Sequence, residues 1–445
     1  MKHRQTDSKP VTVSDGTRRA GEIRARWAWV EPCVWTDRML TALEQGVKGG
    51  SWYSLMDKVY SESNLRAAFD CVRKNGGSAG VDHQTIKMFE DHLATNLTYL
   101  AKSLRDGDYR PQAIRRVWIP KPGGSEKRPL GIPTVRDRVV QAALRNVLEP
   151  IFERDFAPHS YGFRPLRGCK DALRRVQALL DAGYHFVVDA DLKSYFDTIS
   201  HQVLMDLVKT KISDTRVLDL VRAYLSQRVL DTAGDWTPER GTPQGAVISP
   251  LLSNIYLDPL DHLLASAGIE MVRYADDFVL LCRSGAEATQ ALQRVQAWTA
   301  SVGLTLHPEK TRVVDASQPG GFDFLGYHFE CGLRWPRKKS LMKLKDTIRA
   351  KTRRCHGHSL DMIILDLNRT LVGWFEYFEH SRRTTFSPLD AWVRMRLRSI
   401  LRKRCGGRGR GRGNDHFRWP NAFFADRGLF FLSTAHVQAG QSARR

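Results

Sequence analysis

At 445 residues, with 42% hydrophobic and 26% charged side chains, the chain is long enough for two or three subdomains and has a globular composition. It has no run of 18 apolar residues and its basic N-terminus lacks an apolar signal segment, which argues against a membrane span or secretion and leaves a cytoplasmic location as the expectation. The net charge of +21 is uneven, about +18 from Cys331 to Arg445 against about +3 before it, so a polyanionic partner, most often nucleic acid, is expected.

In chain order, residues 1 to about 50 show little periodicity and read as a basic, partly disordered extension. From Tyr53 to about Leu104 the pattern is helical and ends at the glycine-rich "NGGSAGVD". "AIRRVWIP" and "RPLGIP" read as strands joined by the turn "KPGGSEK", and "DRVVQAALRNVLEPIFERDF" as a helix with Val139, Ala143, Val147, Ile151 and Phe152 on one stripe. "CKDALRRVQALLDAG" is a second helix, followed by the strand "HFVVDADL" and a helix capped by Ser200. "MVRYADDFVLLC" reads as a hairpin folded at its two acids, and "LTLHPEKTRVVD" as a strand entered through a proline turn.

Strands interleaved with helices to about residue 330 give an α/β body, and the remainder is helical. In "PLDAWVRMRLRSILRKR", Arg394, Arg398 and Arg402 recur every fourth residue opposite Leu389, Val393, Leu397 and Ile400, a basic face for RNA backed by an apolar one. "GGRGRGRGN" reads as a flexible low-complexity break. The seven cysteines form no Cys-x-x-Cys pair, so neither a zinc module nor a disulfide framework is indicated, and His356 and His358 read as part of a solvated loop.

The chemistry concentrates on acids. Alternation puts Asp189 and Asp191 on one face of their strand, while Asp276 and Asp277 are adjacent between apolar runs. Adjacent desolvated carboxylates repel and need a basic residue, a proton or a metal ion to offset them. A metal pair ~3.5–4 Å apart would activate a hydroxyl and stabilise a leaving phosphate oxygen; a turn-capping role for each acid is the bland alternative.

Three stretches in order, "DLKSYFDTISH", "RGTPQGAVISPLLSNIYLDPLD" and "RYADDFVLL", resemble the palm motifs of reverse transcriptases. With "RPLGIPTVRDRVVQAALRNVLEPIFERDFAPHSYGFRPLRG" and "FDFLGY", they resemble group II intron-encoded reverse transcriptases closely from Trp52 to Tyr327, and more loosely through "LVGWFEYF". The resemblance implies an α+β fingers and palm of a right-hand polymerase over residues 51–330, an all-α thumb/maturase region over 331–405, and a tail from 406 to 445. It implies two Mg2+ ions on Asp191, Asp276 and Asp277, with Lys310 protonating leaving pyrophosphate. Phe196 would exclude a ribose 2′-hydroxyl. Gln244 and Tyr274 would contact the incoming nucleotide, and Arg128 and Lys121 its triphosphate.

The implied partners are group II intron RNA, a DNA target and primer, and deoxynucleoside triphosphates. The implied activities are RNA-directed DNA synthesis, splicing assistance and retrohoming. An RNA-binding splicing factor without polymerase activity and a domesticated enzyme of defence or repair stay open as alternatives, and the oligomeric state is open too. Many relatives carry a C-terminal endonuclease with paired cysteines and His-Asn-His motifs; neither is in this sequence, so no target-strand nicking is expected.

Overall fold

The computed structural model describes residues 15–47, 49–120, 127–232, 234–355 and 357–442. Its strands are β1 (Ile114–Pro120), β2 (Lys127–Ile132), β3 (Phe186–Asp191), β4 (Val229–Asp231), β5 (Gly234–Trp236), β6 (Glu270–Tyr274), β7 (Asp277–Cys282), β8 (Arg312–Asp315), β9 (Phe322–Phe324), β10 (Tyr327–Glu330) and β11 (Leu333–Pro336). They form three sheets, ordered β2-β1-β4-β5, β6-β7-β3-β8 and β11-β10-β9. No helix among the described residues is long and apolar enough to cross a membrane.

The antiparallel sheet β6-β7-β3-β8 is covered on both faces. Val188, Ala190, Phe278 and Leu280 enter the main core, which includes the helices Val135–Glu153 and Ser249–Ser266. Val187, Val272, Val279 and Leu281 enter a second core with the helix Cys169–Asp181 and with Phe322, Phe324, Tyr327 and Phe329 of the small sheet. A sheet buried on both sides needs apolar residues at successive positions, which is why "FVLLC" is a run rather than an alternation.

The helix Val135–Glu153 starts where Thr134 accepts a hydrogen bond from Asp137 N, and its expected stripe is buried throughout. Pro250 stands in the first turn of the helix Ser249–Ser266, where a missing N–H costs no helical bond. The hairpin β1–β2 pairs antiparallel as expected, and β4 joins β1 in parallel through Ile114 and Val229.

The partly disordered extension expected over residues 1–50 needs correction where it is described. Helices Asp15–Arg26 and Asp37–Gln45 flank a loop whose Trp27, Val30, Val34 and Trp35 are buried in the main core. Trp35 Nε1 also donates to Asn146 O at 2.9 Å. Single tryptophans bury enough surface to dock a loop without helical periodicity.

The C-terminal reading also needs correction. Arg398 is buried: its Nε donates to Trp419 O and its Nη2 to Asn421 Oδ1, each at 2.9 Å, with the guanidinium 5.3 Å from the Phe424 ring. Arg402 pairs with Asp415 at 2.6 Å and donates to Arg408 O at 2.8 Å, and Arg394 lies 5.3 Å from the Phe431 ring. The stripe therefore faces the end of the chain rather than open solvent. "GGRGRGRGN" is likewise fastened: Gly411 N donates to Ser399 Oγ at 3.0 Å, and a Cβ at Gly411 would lie 2.5 Å from Arg398 Cβ. Trp419, Phe424, Leu429 and Leu432 then join a third core with Leu367, Phe375, Phe386 and Val393.

Arg398→Ala leaves the Trp419 carbonyl without its charged donor, so it should cost roughly 2 kcal/mol and speed proteolysis within residues 406–442. Limited proteolysis checks this; an unchanged cleavage rate would show that the tail is held independently of Arg398.

Candidate active site

The hairpin β6–β7 turns at Ala275 and Asp276, with Ala275 at φ +61°. Across β3 and β7 the register sets Asp191 directly opposite Asp277. Acids 86 residues apart in the chain thus meet at the end of the sheet, beyond the apolar rows.

The charges nearest these acids come from elsewhere in the chain. Lys310 Nζ lies 2.7 Å from Asp191 Oδ2, brought there because His307 N donates to Asp191 O at 2.7 Å. Arg312 Nε approaches Asp189 Oδ2 at 3.5 Å. Burial raises the Asp189 carboxyl above the ordinary range, and Arg312 opposes the rise. Burial also raises Asp276, which Asp191 repels and Arg273 relieves. Asp277 has solvent access, yet the chain crowds around it. Its carboxyl is pushed up to about 7, by desolvation first and then by repulsion from Asp189, Asp276 and Asp191, with Arg337 acting against them.

The turn is held from behind. Arg273 is fully buried; its Nε donates to Asp261 Oδ1 at 2.8 Å, and its Nη1 to Asn254 Oδ1 and Ala275 O, both at 3.0 Å. Asn254 Nδ2 in turn donates to Gly162 O at 2.9 Å. Gly162 packs so closely that a Cβ there would fall 2.1 Å from Ala275 N, so only glycine fits.

A cavity of about 410 Å³ is lined by Phe196 and Gln244 among others, and none of the clustered acids lines it. Thr242 N donates to Phe196 O at 2.7 Å, and Gly131 N to Gln244 O at 2.6 Å, so backbone bonds tie the "TPQG" loop to both. Gly245, at φ +106°, lies where a Cβ would meet Gly131 O at 2.5 Å. Arg128 is exposed on β2, between strand neighbours Pro129 and Lys127, and Pro129 lines the cavity.

The structure thus brings Asp191, Asp276, Asp277 and Lys310 together and sets Phe196 and Gln244 on one cavity that those acids do not line. It does not aim Tyr274 at the cleft. The Tyr274 ring packs into the second core, and its hydroxyl is raised to about 12, chiefly by burial. Lys121 lies outside the described residues. Sequence reading missed Arg273, Asp261, Asn254 and Arg337. For Arg273 a signal existed: a charged residue at a buried strand position, three residues before Asp276.

Residues 119–329 match the family described as Reverse transcriptase (RNA-dependent DNA polymerase), and residues 341–416 match the Group II intron, maturase-specific domain. Protein YkfC of Escherichia coli (strain K12) is 32% identical over 379 residues, covering 76% of this chain and 94% of that protein. The chain belongs to the group II intron-encoded reverse transcriptases. The Group II intron-encoded protein LtrA of Lactococcus lactis subsp. cremoris is 38% identical over 191 residues, 43% of this chain and 31% of that protein. The Putative COX1/OXI3 intron 1 protein of Saccharomyces cerevisiae is 28% identical, over 76% of this chain and 47% of that protein. This reverse transcriptase therefore spans nearly all of one relative and less than half of the two others. Its fold is that of a right-hand polymerase with a helical C-terminal region, and its enzyme class is RNA-directed DNA polymerase.

The Asp277 shift gives a pH dependence. An unfolded aspartate releases its proton near pH ~4, whereas this one holds it to about 7 in the fold. The native state therefore binds more protons across that window, and stability falls as pH rises through it. Asp277→Asn in chelator should melt higher than the parent at pH 8, with the gain shrinking as pH falls toward 4. Thermal unfolding across that range checks this, and a gain that grows on acidification would contradict it.

Proposed function

We propose that this cleft joins deoxynucleotides to a primer 3′-hydroxyl on an RNA template with two magnesium ions, and that the helical region holds intron RNA during splicing and retrohoming. The observation that carries the polymerase part is the opposition of Asp191 and Asp277 with Asp276 on the adjoining turn. Among the described residues no three His, Cys, Asp or Glu side chains form a preformed cage. Magnesium is commonly held by one or two carboxylates, and water and substrate phosphates would have to complete its shell here. Asp191, Asp276 and Asp277 would hold it, and when bound it supplies Lewis-acid stabilisation of the attacking and leaving oxygens.

The other roles belong to the chain's own groups. Phe196 fills the cavity wall where a ribose 2′-hydroxyl would intrude. The Gln244 loop orients the nucleotide, and the Arg128 guanidinium suits triphosphate oxygens. Lys310 lies 2.7 Å from Asp191 and would give a proton to departing pyrophosphate. In-line displacement then needs positioning rather than a protein nucleophile.

The RNA-holding charge differs from the one the arginine stripe suggested. Lys338, Lys339, Lys343 and Arg349 are exposed on the helix Lys338–Lys351, and Arg353 and Arg354 are exposed just beyond it.

Two experiments test these readings. Primer extension on RNA should require magnesium, and Asp191→Asn should lower it at least ~100-fold, since it removes charge from the reacting centre; complementary DNA made equally well by the variant would sink the site. Charge reversal at Lys338, Lys339 and Lys343 should weaken intron-RNA binding and flatten its salt dependence by about 0.7–0.9 for each phosphate no longer neutralised. An unaltered slope in a salt titration would place the RNA elsewhere.

A further inference from the structure

The segment before the helix Cys169–Asp181 carries two side chains that the proposed reaction leaves without a task. Phe163 and Leu166 have φ of +59° and +57° and are 45% and 83% exposed. Left-handed backbone is strained for residues with a Cβ, and glycine or asparagine sits there more readily. Water-facing positions also favour polar side chains. Large apolar groups held outward on strained backbone are an arrangement that folding alone does not reward, and such strain clusters at functional sites.

The strain is fixed from behind. Buried Arg164 binds Glu153 through Nε–Oε2 at 2.9 Å and Nη2–Oε1 at 2.7 Å, and donates to Ser160 O at 2.8 Å. Arg167 donates to Ser160 O at 3.4 Å and lies 5.9 Å from the Tyr161 ring. The segment is also locked to the strand that bears the catalytic turn. Tyr161 N donates to Arg273 O at 2.8 Å, Arg273 N to His159 O at 3.0 Å, and Gly162 abuts Ala275. Phe163 and Leu166 are therefore carried on a rigid strap beside Asp276, one and four residues from a glycine that touches the turn.

We propose that Phe163 and Leu166 form an apolar footing for the primer–template duplex next to its growing end. This rests on the polymerase reading of the same site. A duplex whose 3′ end reaches Asp276 comes close to whatever is fastened to that turn, and this strap is so fastened. The sugars of a duplex offer apolar C–H faces between phosphates, which Phe163 and Leu166 can cover. Of the five basic side chains in Tyr161–Arg175, Arg164, Lys170, Arg174 and Arg175 pair with Glu153, Glu379, Asp171 and Glu270, while Arg167 has no acid at ion-pair distance among the described residues and keeps a charge that suits a neighbouring phosphate. The strained backbone holds the two side chains ready, so little freedom is lost when the duplex arrives.

The test uses the full chain with Phe163→Gly and Leu166→Gly together. Glycine accepts positive φ, so the fold should be kept or stabilised. Fluorescence anisotropy with a labelled DNA primer on an RNA template should show Kd rising about tenfold, the effect expected when one or two apolar side chains no longer cover the sugars. The salt slope should stay the same because every phosphate keeps its cation. The KM for deoxynucleotide should also stay the same, and Phe163→Leu, which keeps an apolar group, should recover most of the affinity. Unchanged Kd in the double variant would overturn the footing. So would an equal fall in affinity for single-stranded RNA, or a change of oligomeric state on sizing, which would assign the pair to contact between copies. If the parent protein bound the duplex but extended no primer, the polymerase reading alone would fail, while the Kd comparison would still decide the footing.

Discussion

Mutual repulsion among carboxylates at one end of a sheet is the constraint that the rest of this protein accommodates. Asp189 and Asp191 leave β3 on one face, Asp277 faces Asp191 across the ladder, and Asp276 occupies the turn. In the isolated chain the repulsion is shared out. Lys310 sits on Asp191, Arg312 on Asp189, Arg273 relieves Asp276, and the proton held on Asp277 to about pH 7 supplies the rest. Of the three remedies open to paired acids, cation, proton and metal, the first two are what the fold itself provides. Structures that gather like charge at a site accept a stability cost for readiness to bind the opposite charge.

Such a cluster is useful only if it cannot relax apart, and the scaffold prevents that from both directions. In front, the register of β3 with β7 is fixed by apolar rows on both faces, since a slip by one residue would exchange the main core for the second. Behind, the Arg273 guanidinium spends its donors on Asp261, Asn254 and the Ala275 carbonyl, inside the protein where leaving any of them unpaired is costly. Gly162 closes the remaining space. The strap that contains Gly162 is itself anchored by Arg164, so positioning of the acids reaches through buried arginines to the helix Val135–Glu153, which carries Glu153.

What is legible in the sequence follows from which physics is local. The palm strands, the β1–β2 hairpin and the capped helices show themselves through periodicity and turn chemistry, and "YADD" between apolar runs announces a turn with exposed acids. The convergence of Asp191 with Asp277 is legible only because the motifs resemble a family; spacing alone does not join residues 86 apart. Arg394, Arg398 and Arg402 mislead because a four-residue repeat specifies a helix face without saying whether water or protein covers it. The deciding partners, Trp419, Asn421 and Asp415, come later in the chain with no periodicity of their own. The N-terminal loop misleads for the related reason that a few tryptophans can replace a periodic apolar face. Tyr274 misleads through its neighbours: a tyrosine beside catalytic acids suggests substrate contact, yet its ring packs against the second core.

The inward use of the arginine stripe changes how the C-terminal charge must be understood. A surplus of about +18 after residue 330 remains, but a share of it is spent holding the tail to the helix Phe386–Arg404. Charge spent that way is desolvated and paired, so it contributes little to a long-range field, whereas the exposed lysines of the helix Lys338–Lys351 keep theirs. That helix begins at Arg337, whose backbone N–H donates to Gly326 O at 2.9 Å and whose charge acts on Asp277. The outward basic surface is therefore joined by a single residue to the carboxylate cleft. A polyanion lying along the helix would have one end beside Asp277, and the orientation of that helix, rather than the total charge of the region, is what would align it with the acids.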